Sequence, residues 1–210
     1  MSKQTNQDEI SRILWKACDA LRGTMDPSAC KGYILVMLFV KYISDVWLDK
    51  ISFNKAHGGN AQNGLKYPFI DEVFYVPADA NFQTIYQQRN LPYIGEVINK
   101  ALMSIEDANN EKLQGVFRNI DFSSEFHLGR SIERNHKLKE LLEIFNDPKL
   151  DLRPSRLVDR DVIGNAYEYL LGKFAVDSNK RAGEFYTSPT VSTLLAKLVA
   201  PKPNDSICDW

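Results

Sequence analysis

Apolar residues recur at helical spacing along much of the chain. In the first segment they return every three or four positions and so share one helical face, which Gly23 follows as a C-cap. This first face comprises Ile10, Ile13, Leu14, Ala17, Cys18 and Leu21. The same spacing predicts three later helices, in "IGEVINKALMSIED", "NHKLKELLEIFN" and "DVIGNAYEYLLGKFA". Their predicted core positions are Val97, Ile98, Ala101, Leu102 and Ile105; Leu138, Leu141, Leu142 and Phe145; and Ile163, Ala166, Tyr167, Leu170, Leu171 and Phe174.

A second helix is predicted over roughly 30–50, and residues 33–40 are apolar without a break. A helix that is apolar all round is buried on most sides, so this one is expected at the centre of a bundle. From 53 to 77 glycine and asparagine interrupt the pattern, which predicts a long loop with one short strand in "YPFIDEVFYVP". The stretch "DPKLDLRPSRLVDRD" has the composition of a connector, and Asp159 or Asp161 is expected to cap the helix that follows.

The last segment, "GEFYTSPTVSTLLAKLVAPKPNDSICDW", predicts an extended turn, a capped helix, a proline-stopped loop and a strand. Thr187 or Ser188 suits the N-cap and Pro189 the first helical turn. The apolar face of this helix is Val191, Leu194, Leu195, Leu198 and Val199. Ligands of open α/β folds bind beyond strand ends and beside helix N-termini, although a capped helix before a strand occurs in many unrelated folds.

Charge and cysteine usage narrow the function classes. Lysine and arginine total 26 against 27 acids, so no overall basic footprint favours autonomous, tight nucleic-acid binding. A local basic group is present, and a solvated helix face offset by Glu133 and Glu140 is favoured over a phosphate-binding surface. The group comprises Arg118, Arg130, Arg134, Lys137 and Lys139. The three cysteines and three histidines show no metal-ligand spacing, and a polar N-terminus shows no signal peptide, so a soluble cytoplasmic protein is expected.

The terminal motif resembles the opening of the catalytic domain in the modification (DNA adenine methyltransferase, HsdM-like) subunit of type I restriction–modification systems. "GNAYEYLLGKFA", "DEISRILWKACDALRG" and "GYILVMLFVKYISD" are similar to helices of the same family. The resemblance implies a mainly α fold, with an N-terminal helical bundle domain over 1–160 that includes an irregular loop at about 53–80. Residues 161–210 would hold a linker helix and the first helix and strand of a truncated α/β methyltransferase domain that uses S-adenosylmethionine.

The resemblance also implies the candidate site. Glu184, Phe185, Tyr186 and Thr187 match the cofactor-contacting stretch, and Asp209 matches the acid of D-P-x-x-G-x-G. With Ser188 and Pro189, these residues form the predicted cofactor-binding set. The Thr187 hydroxyl and nearby backbone N–H groups would hold the methionine carboxylate, and Phe185 and Tyr186 would wall the pocket, or else pack an extended segment on a sheet. Ser188 stands where the family has proline, and Trp210 replaces the proline of D-P-x-x-G-x-G.

The 210 residues contain neither that glycine loop nor the N/D-P-P-F/Y motif that receives the target adenine. We therefore expect no catalytic residue, no metal, feeble cofactor affinity and no activity of the chain alone. The resemblance implies that the parent methylates adenine N6 in DNA. It also implies that this region clamps DNA and packs against a specificity subunit, a second methyltransferase subunit and a restriction subunit, with no membrane partner. The alternatives are a non-enzymatic truncated interaction module and an unrelated helical DNA-binding domain. An unburied terminal apolar face would cause self-association or a mobile C-terminus.

Overall fold

The structure is a computed structural model that describes residues 7–21, 25, 27–57, 74–157, 161–177, 187, 189–202, 205–206 and 208. The chain divides into two compact units, Met1–Tyr167 and Glu168–Trp210. The described helices are α1 (Gln7–Leu21), α2 (Pro27–Ala56), α3 (Phe82–Gln87), α4 (Ile94–Ala108), α5 (Asn110–Leu113), α6 (Glu125–Leu128), α7 (Ser131–Phe145), α8 (Val162–Asp177) and α9 (Pro189–Val199). The expected mainly α class is confirmed, and the described residues form no strand.

Helices α1, α2 and α7 pack together at the centre of the first unit. All six apolar residues predicted for the α1 face are buried, from Ile10 to Leu21. The apolar run of α2 is largely buried as well, with Tyr33, Ile34, Met37 and Leu38 each at most 1% exposed. Helix α2 also contacts α3, which places it at the centre of the bundle as the sequence indicated.

The structure changes two of the predicted boundaries. Helix α2 continues through Ala56, so the first residues of the predicted loop are helical. Residues 74–77 have no regular secondary structure, and the remainder of the expected short strand lies outside the described residues. The side chain of Asn109 holds this segment by a pair of bonds: Nδ2 donates to the Tyr75 carbonyl at 2.8 Å, and Oδ1 accepts from the Tyr75 N–H at 2.9 Å.

The predicted faces of α4 and α7 are confirmed, and that of α8 needs a correction. Four of the five apolar positions predicted in α4, and all four in α7, are buried, whereas Val97 is half-buried. In α8 the buried residues are Val162, Ala166 and Leu170, while Tyr167 is 44% exposed. Ile163 and Leu171 are half-buried, and the side chain of Phe174 lies outside the description. Because apolar residues occur around the whole circumference of α8, their spacing does not single out one inward face.

The predicted connector lies along α2 as an ordered segment. Leu150 and Leu152 are at most 1% exposed, and the Ser155 N–H donates to Asp49 Oδ2 at 3.0 Å. Asp161 Oδ1 accepts from the Gly164 N–H at 3.0 Å and so caps α8, as one of the two alternatives predicted. Asp159, the other alternative, lies outside the described residues.

Candidate functional site

Two residues of the predicted cofactor segment fall within the described part of the chain. Thr187 is exposed, and α9 begins at Pro189, which fits the predicted start of the helix. The other predicted site residues, Glu184, Phe185, Tyr186, Ser188 and Asp209, lie outside the described residues. An exposed hydroxyl two residues before a helix start has the chemistry to bind a carboxylate, and the assignment of this role to Thr187 stays a prediction.

The strand predicted over 205–210 is not formed at the residues described there. Asp205, Ser206 and Cys208 have no regular secondary structure. A strand requires a hydrogen-bonded neighbour, and the described residues supply none. The predicted first strand of the α/β domain is therefore not formed by the described residues.

The apolar face of α9 is exposed along its whole length. Exposure is 47% for Val191 and rises to 72% for Leu198 and 74% for Val199. Leu194 and Leu195 are exposed by 56% and 52%. The helix ends as predicted before Pro201, and Ala200 adopts a left-handed φ of 47° with its N–H bonded to the Ala196 carbonyl at 2.9 Å. A formed helix with an uncovered apolar face is a surface suited to packing.

The five residues of the local basic group do not form one exposed basic surface. Arg134 is 6% exposed, its Nη1 donates to the Ser123 carbonyl at 2.8 Å, and its Nη2 lies 3.9 Å from Glu96. The Lys137 ammonium lies 2.5 Å from Glu133 one helical turn away. Arg118 and Arg130 are exposed, and Lys139 is half-buried. These positions support the solvated-face interpretation for α7 and make Arg134 a structural cation.

Arg134 belongs to a polar cluster that joins α2, α4 and α7 through residues 121–123. Asn99 donates from Nδ2 to Asp121 Oδ1 at 2.6 Å and accepts the Phe122 N–H at 2.9 Å. The Tyr33 hydroxyl donates to the Asp121 carbonyl at 2.9 Å, and burial raises the pKa of this phenol. The backbone groups of a loop between packed helices are thereby satisfied, which marks the cluster as a folding element.

Two open grooves lie on the first unit. One, of about 360 Å³, is lined by residues of α4 and of the turns that flank α3, including Tyr93, Glu96 and Lys100. The other, of about 390 Å³, lies between α2 and residues 146–153 and mixes Lys41 and Arg153 with several aspartates. No group of three or more potential metal ligands occurs among the described residues. Nor does any helix in the described part of the chain have the length and apolar character to cross a membrane.

The comparison with protein families decides the identity of the helical unit. Residues 10–145 match the model of the HsdM N-terminal domain. The chain belongs to the HsdM N-terminal domain family. Residues 158–210 match the N-6 DNA Methylase model, which covers α8, α9 and the cofactor-like segment. The resemblance to type I modification subunits is thus confirmed.

Two methylase subunits of type I restriction enzymes are similar to this chain. The type I restriction enzyme MpnII methylase subunit of Mycoplasma pneumoniae is 28% identical over 99% of this chain and 42% of its own length. The MjaVIII methylase subunit of Methanocaldococcus jannaschii is 28% identical over 99% of this chain and 34% of its own length. The chain therefore spans about a third to two-fifths of the length of these two methylase subunits.

A solved structure shows the same fold. The type I restriction–modification methyltransferase subunit from Streptococcus thermophilus superposes with a TM-score of 0.70 at 24% identity, over 95% of this chain and 45% of that one. The sequence pattern located the six longer of the described helices and missed α3, α5 and α6. It also gave no indication of the contacts that Asp45 and Asp49 make with residues 152–155. Those contacts join positions more than 100 residues apart in the sequence.

Proposed function

We propose that this chain serves DNA clamping and subunit assembly within a type I restriction–modification methylation subunit. The observation that carries the proposal is the family match of residues 10–145 to a unit with its own buried core. The partners we propose are DNA, a specificity subunit, a second methyltransferase subunit and the restriction subunit. A cytoplasmic location is part of the same proposal.

The parent activity we propose is transfer of a methyl group from S-adenosylmethionine to adenine N6. The match of residues 158–210 to N-6 DNA methylases supports it. In this chain Thr187 and the N-terminus of α9 would hold the methionine carboxylate, together with the other predicted residues of 184–189 and Asp209. The printed sequence has no D-P-x-x-G-x-G loop and no N/D-P-P-F/Y motif, so we propose that the 210 residues alone do not methylate. Enzymes that modify a duplex base need a dedicated pocket for the flipped base.

DNA clamping is tested by fluorescence anisotropy on a labelled duplex that carries a bound specificity subunit. Adding the chain should raise the anisotropy, and the apparent affinity should fall steeply with salt because phosphate contacts release counterions. Affinity that stays level from low to moderate salt, or no anisotropy change at all, would remove the clamping role. Methyl transfer to the same duplex should stay at background, and turnover by this chain would overturn the proposed inactivity.

A second candidate is a non-enzymatic interaction module that binds specificity or methyltransferase subunits without joining an active complex. The self-contained core of the first unit favours it. The two candidates differ in one readout. An interaction module that displaces the intact methylation subunit should lower the methylation rate when it is added to an intact methyltransferase complex. A region that takes part in an active complex should leave that rate unchanged unless the intact methylation subunit is limiting.

A further inference from the structure

One face of α2 carries polar side chains at successive helical turns toward residues 147–157, which we call the strap. Lys41, Asp45 and Asp49 stand four residues apart, so they share this face. Asp45 Oδ2 lies 2.5 Å from the Lys41 ammonium and also accepts the Leu152 N–H at 3.0 Å. The Asp45 side chain is 13% exposed, so this contact is made largely away from water.

Asp49 holds the strap one turn further along. Its Oδ2 accepts the Ser155 N–H at 3.0 Å, and its Oδ1 accepts the Ser155 hydroxyl at 3.0 Å. Hydrogen bonds to a carboxylate are stronger than those between neutral groups. Two carboxylates of one helix therefore hold three donors of a segment that has no regular helical or strand ladder of its own.

The strap alternates between inward and outward residues. Leu150 and Leu152 are buried, while Asp151 and Arg153 form an ion pair with each other, in which Nε lies 2.8 Å from Oδ1. Because this pair is internal to the strap, lifting the strap from α2 leaves neither charge without a partner. Asp45 would likewise keep Lys41. Opening would expose Leu150 and Leu152, break the hydrogen bonds from the Leu152 and Ser155 donors, and weaken the attraction between Arg153 and the two aspartates of α2. The two leucines are a small part of the buried apolar core of the first unit.

We propose that the strap is a releasable latch on α2, locked by Asp45 and Asp49, that opens without unfolding the helical unit. Segments with few buried apolar contacts open locally at lower free energy than the whole domain. The strap precedes α8 in the sequence, and the residue that caps α8, Asp161, raises the pKa of Tyr42 of α2 in addition to the larger effect of burial. A closed latch therefore fixes the start of α8 against α2, and an open one frees it. In the proposed function, this would let subunit binding at the helical unit control the segment that begins with α8.

Limited proteolysis of the full 210-residue chain tests the latch. Trypsin cuts after Arg156 in the turn of the strap, whereas Arg153 precedes Pro154 and resists cleavage. In the Asp45→Ala/Asp49→Ala variant, cleavage at Arg156 should be about tenfold faster than in the parent. When opening and closing are fast relative to cleavage, the cleavage rate follows the fraction of molecules in which the strap is open. Asp107→Ala is the matched control, because it removes an exposed aspartate from α4. Ser155→Ala, at an exposed position, should raise the rate in the same direction by less.

Thermal unfolding, followed by circular dichroism, separates local from global opening. The latch predicts that the helical signal and its cooperative transition persist in the double variant while the Arg156 cut accelerates. Cleavage that rises equally at Arg156 and at core-helix sites such as Lys139 would show that the strap opens only with the whole unit, and would overturn the proposal. Rates equal to those of the control would overturn it as well. The proteolysis assay contains neither DNA nor another subunit. A negative proteolysis result would therefore not contradict the proposed function, and a negative DNA-binding result would not contradict the latch.

Discussion

At the scale of single residues, the side chains that look available for binding and those that hold the fold are different. Arg134 is part of a basic stretch in the sequence, but in the fold it donates to the Ser123 carbonyl beside Asn99 and Asp121. Composition alone cannot reveal this, because the partner is a backbone carbonyl contributed by a separate loop. Burial and hydrogen bonding, which are tertiary properties, decide the role of such a cation.

Replacing Arg134 should therefore affect stability before binding. Arg134→Ala leaves the Ser123 carbonyl without this donor and removes packed side-chain volume, so the free energy of unfolding should fall by about 1–3 kcal/mol. Urea denaturation measures it. Arg130→Ala, at an exposed position of the same stretch, is the control and should stay within about 0.5 kcal/mol of the parent. Equal effects of the two substitutions would contradict the structural role.

The buried carboxyl of Asp45 gives a pH dependence of defined sign. Burial raises its pKa above the ordinary value of 3.8, although Lys41 and the Leu152 N–H act in the opposite direction. The folded chain thus holds this proton more tightly than the unfolded chain. The stability contributed by the protonated group is complete below 3.8 and is lost as pH rises through the folded pKa.

The comparison is between the parent and Asp45→Asn, which does not titrate. Denaturation from about pH 3.5 to about pH 7 should show the parent losing stability relative to the variant as pH rises. The pKa of Asp151, where burial is outweighed by the hydrogen bonds and charge of Arg153, is lowered and gives the opposite slope. Asp151 is present in both proteins, so only the part of its slope that depends on the charge of Asp45 remains in the difference. A difference that grows in favour of the parent with rising pH would contradict the account.

At the scale of elements, the sequence predicts best where one helical face is apolar and the other polar. In α1 this contrast is clear, and all six predicted positions are buried. In α8 apolar residues surround the helix, and the prediction chose Tyr167 where the fold buries Val162. The four-residue helices α5 and α6 are too short to show periodicity, and α6 begins where the Ser124 hydroxyl accepts the His127 N–H at 3.3 Å.

Of the candidate site, the sequence predicted the start and end of α9, and the described residues confirm both. The terminal strand could not be judged from local pattern, because a strand forms only beside a partner. The docked strap also escaped prediction. Its prolines and mixed charge suggest a linker, and the bonds to α2 depend on residues more than 100 positions away.

The irregular segment 74–77 offers a test of one tertiary contact. Asn109 binds both backbone groups of Tyr75, so Asn109→Ala should release the segment and lower the free energy of unfolding by about 1–2 kcal/mol. Hydrogen exchange at the Tyr75 amide should accelerate more than exchange at α1 amides. Asn110→Ala, at the neighbouring exposed position, serves as control. Unchanged protection of Tyr75 in Asn109→Ala would show that this pair does not hold the segment.

At the scale of the whole molecule, the two family matches cover regions that differ in how far their apolar helix faces are buried. The HsdM N-terminal match covers helices with a shared buried core, while the N-6 DNA Methylase match includes α9, whose apolar face is exposed. Large exposed apolar surface favours association. The exposed apolar residues of α9 share one helical face, so α9 should govern the association state of the 210-residue chain.

Sedimentation velocity over a concentration series checks the role of α9. The weight-average mass of the parent should rise with concentration, and the rise should be largely lost in Leu194→Gln/Leu198→Gln, which makes the exposed face polar. Met103→Gln changes a similarly exposed residue on α4, at 66% exposure, and should behave like the parent. A parent that remains monomeric throughout, or that associates unchanged in the double variant, would contradict this role.

The role proposed for this chain is assembly into a type I complex. The most direct measurement is size-exclusion chromatography with light scattering of the chain mixed with the type I specificity subunit of the same genome. The account predicts one species that contains both proteins, with a mass equal to a defined combination of the two. Separate elution of the two proteins, with the chain folded by circular dichroism, would contradict it.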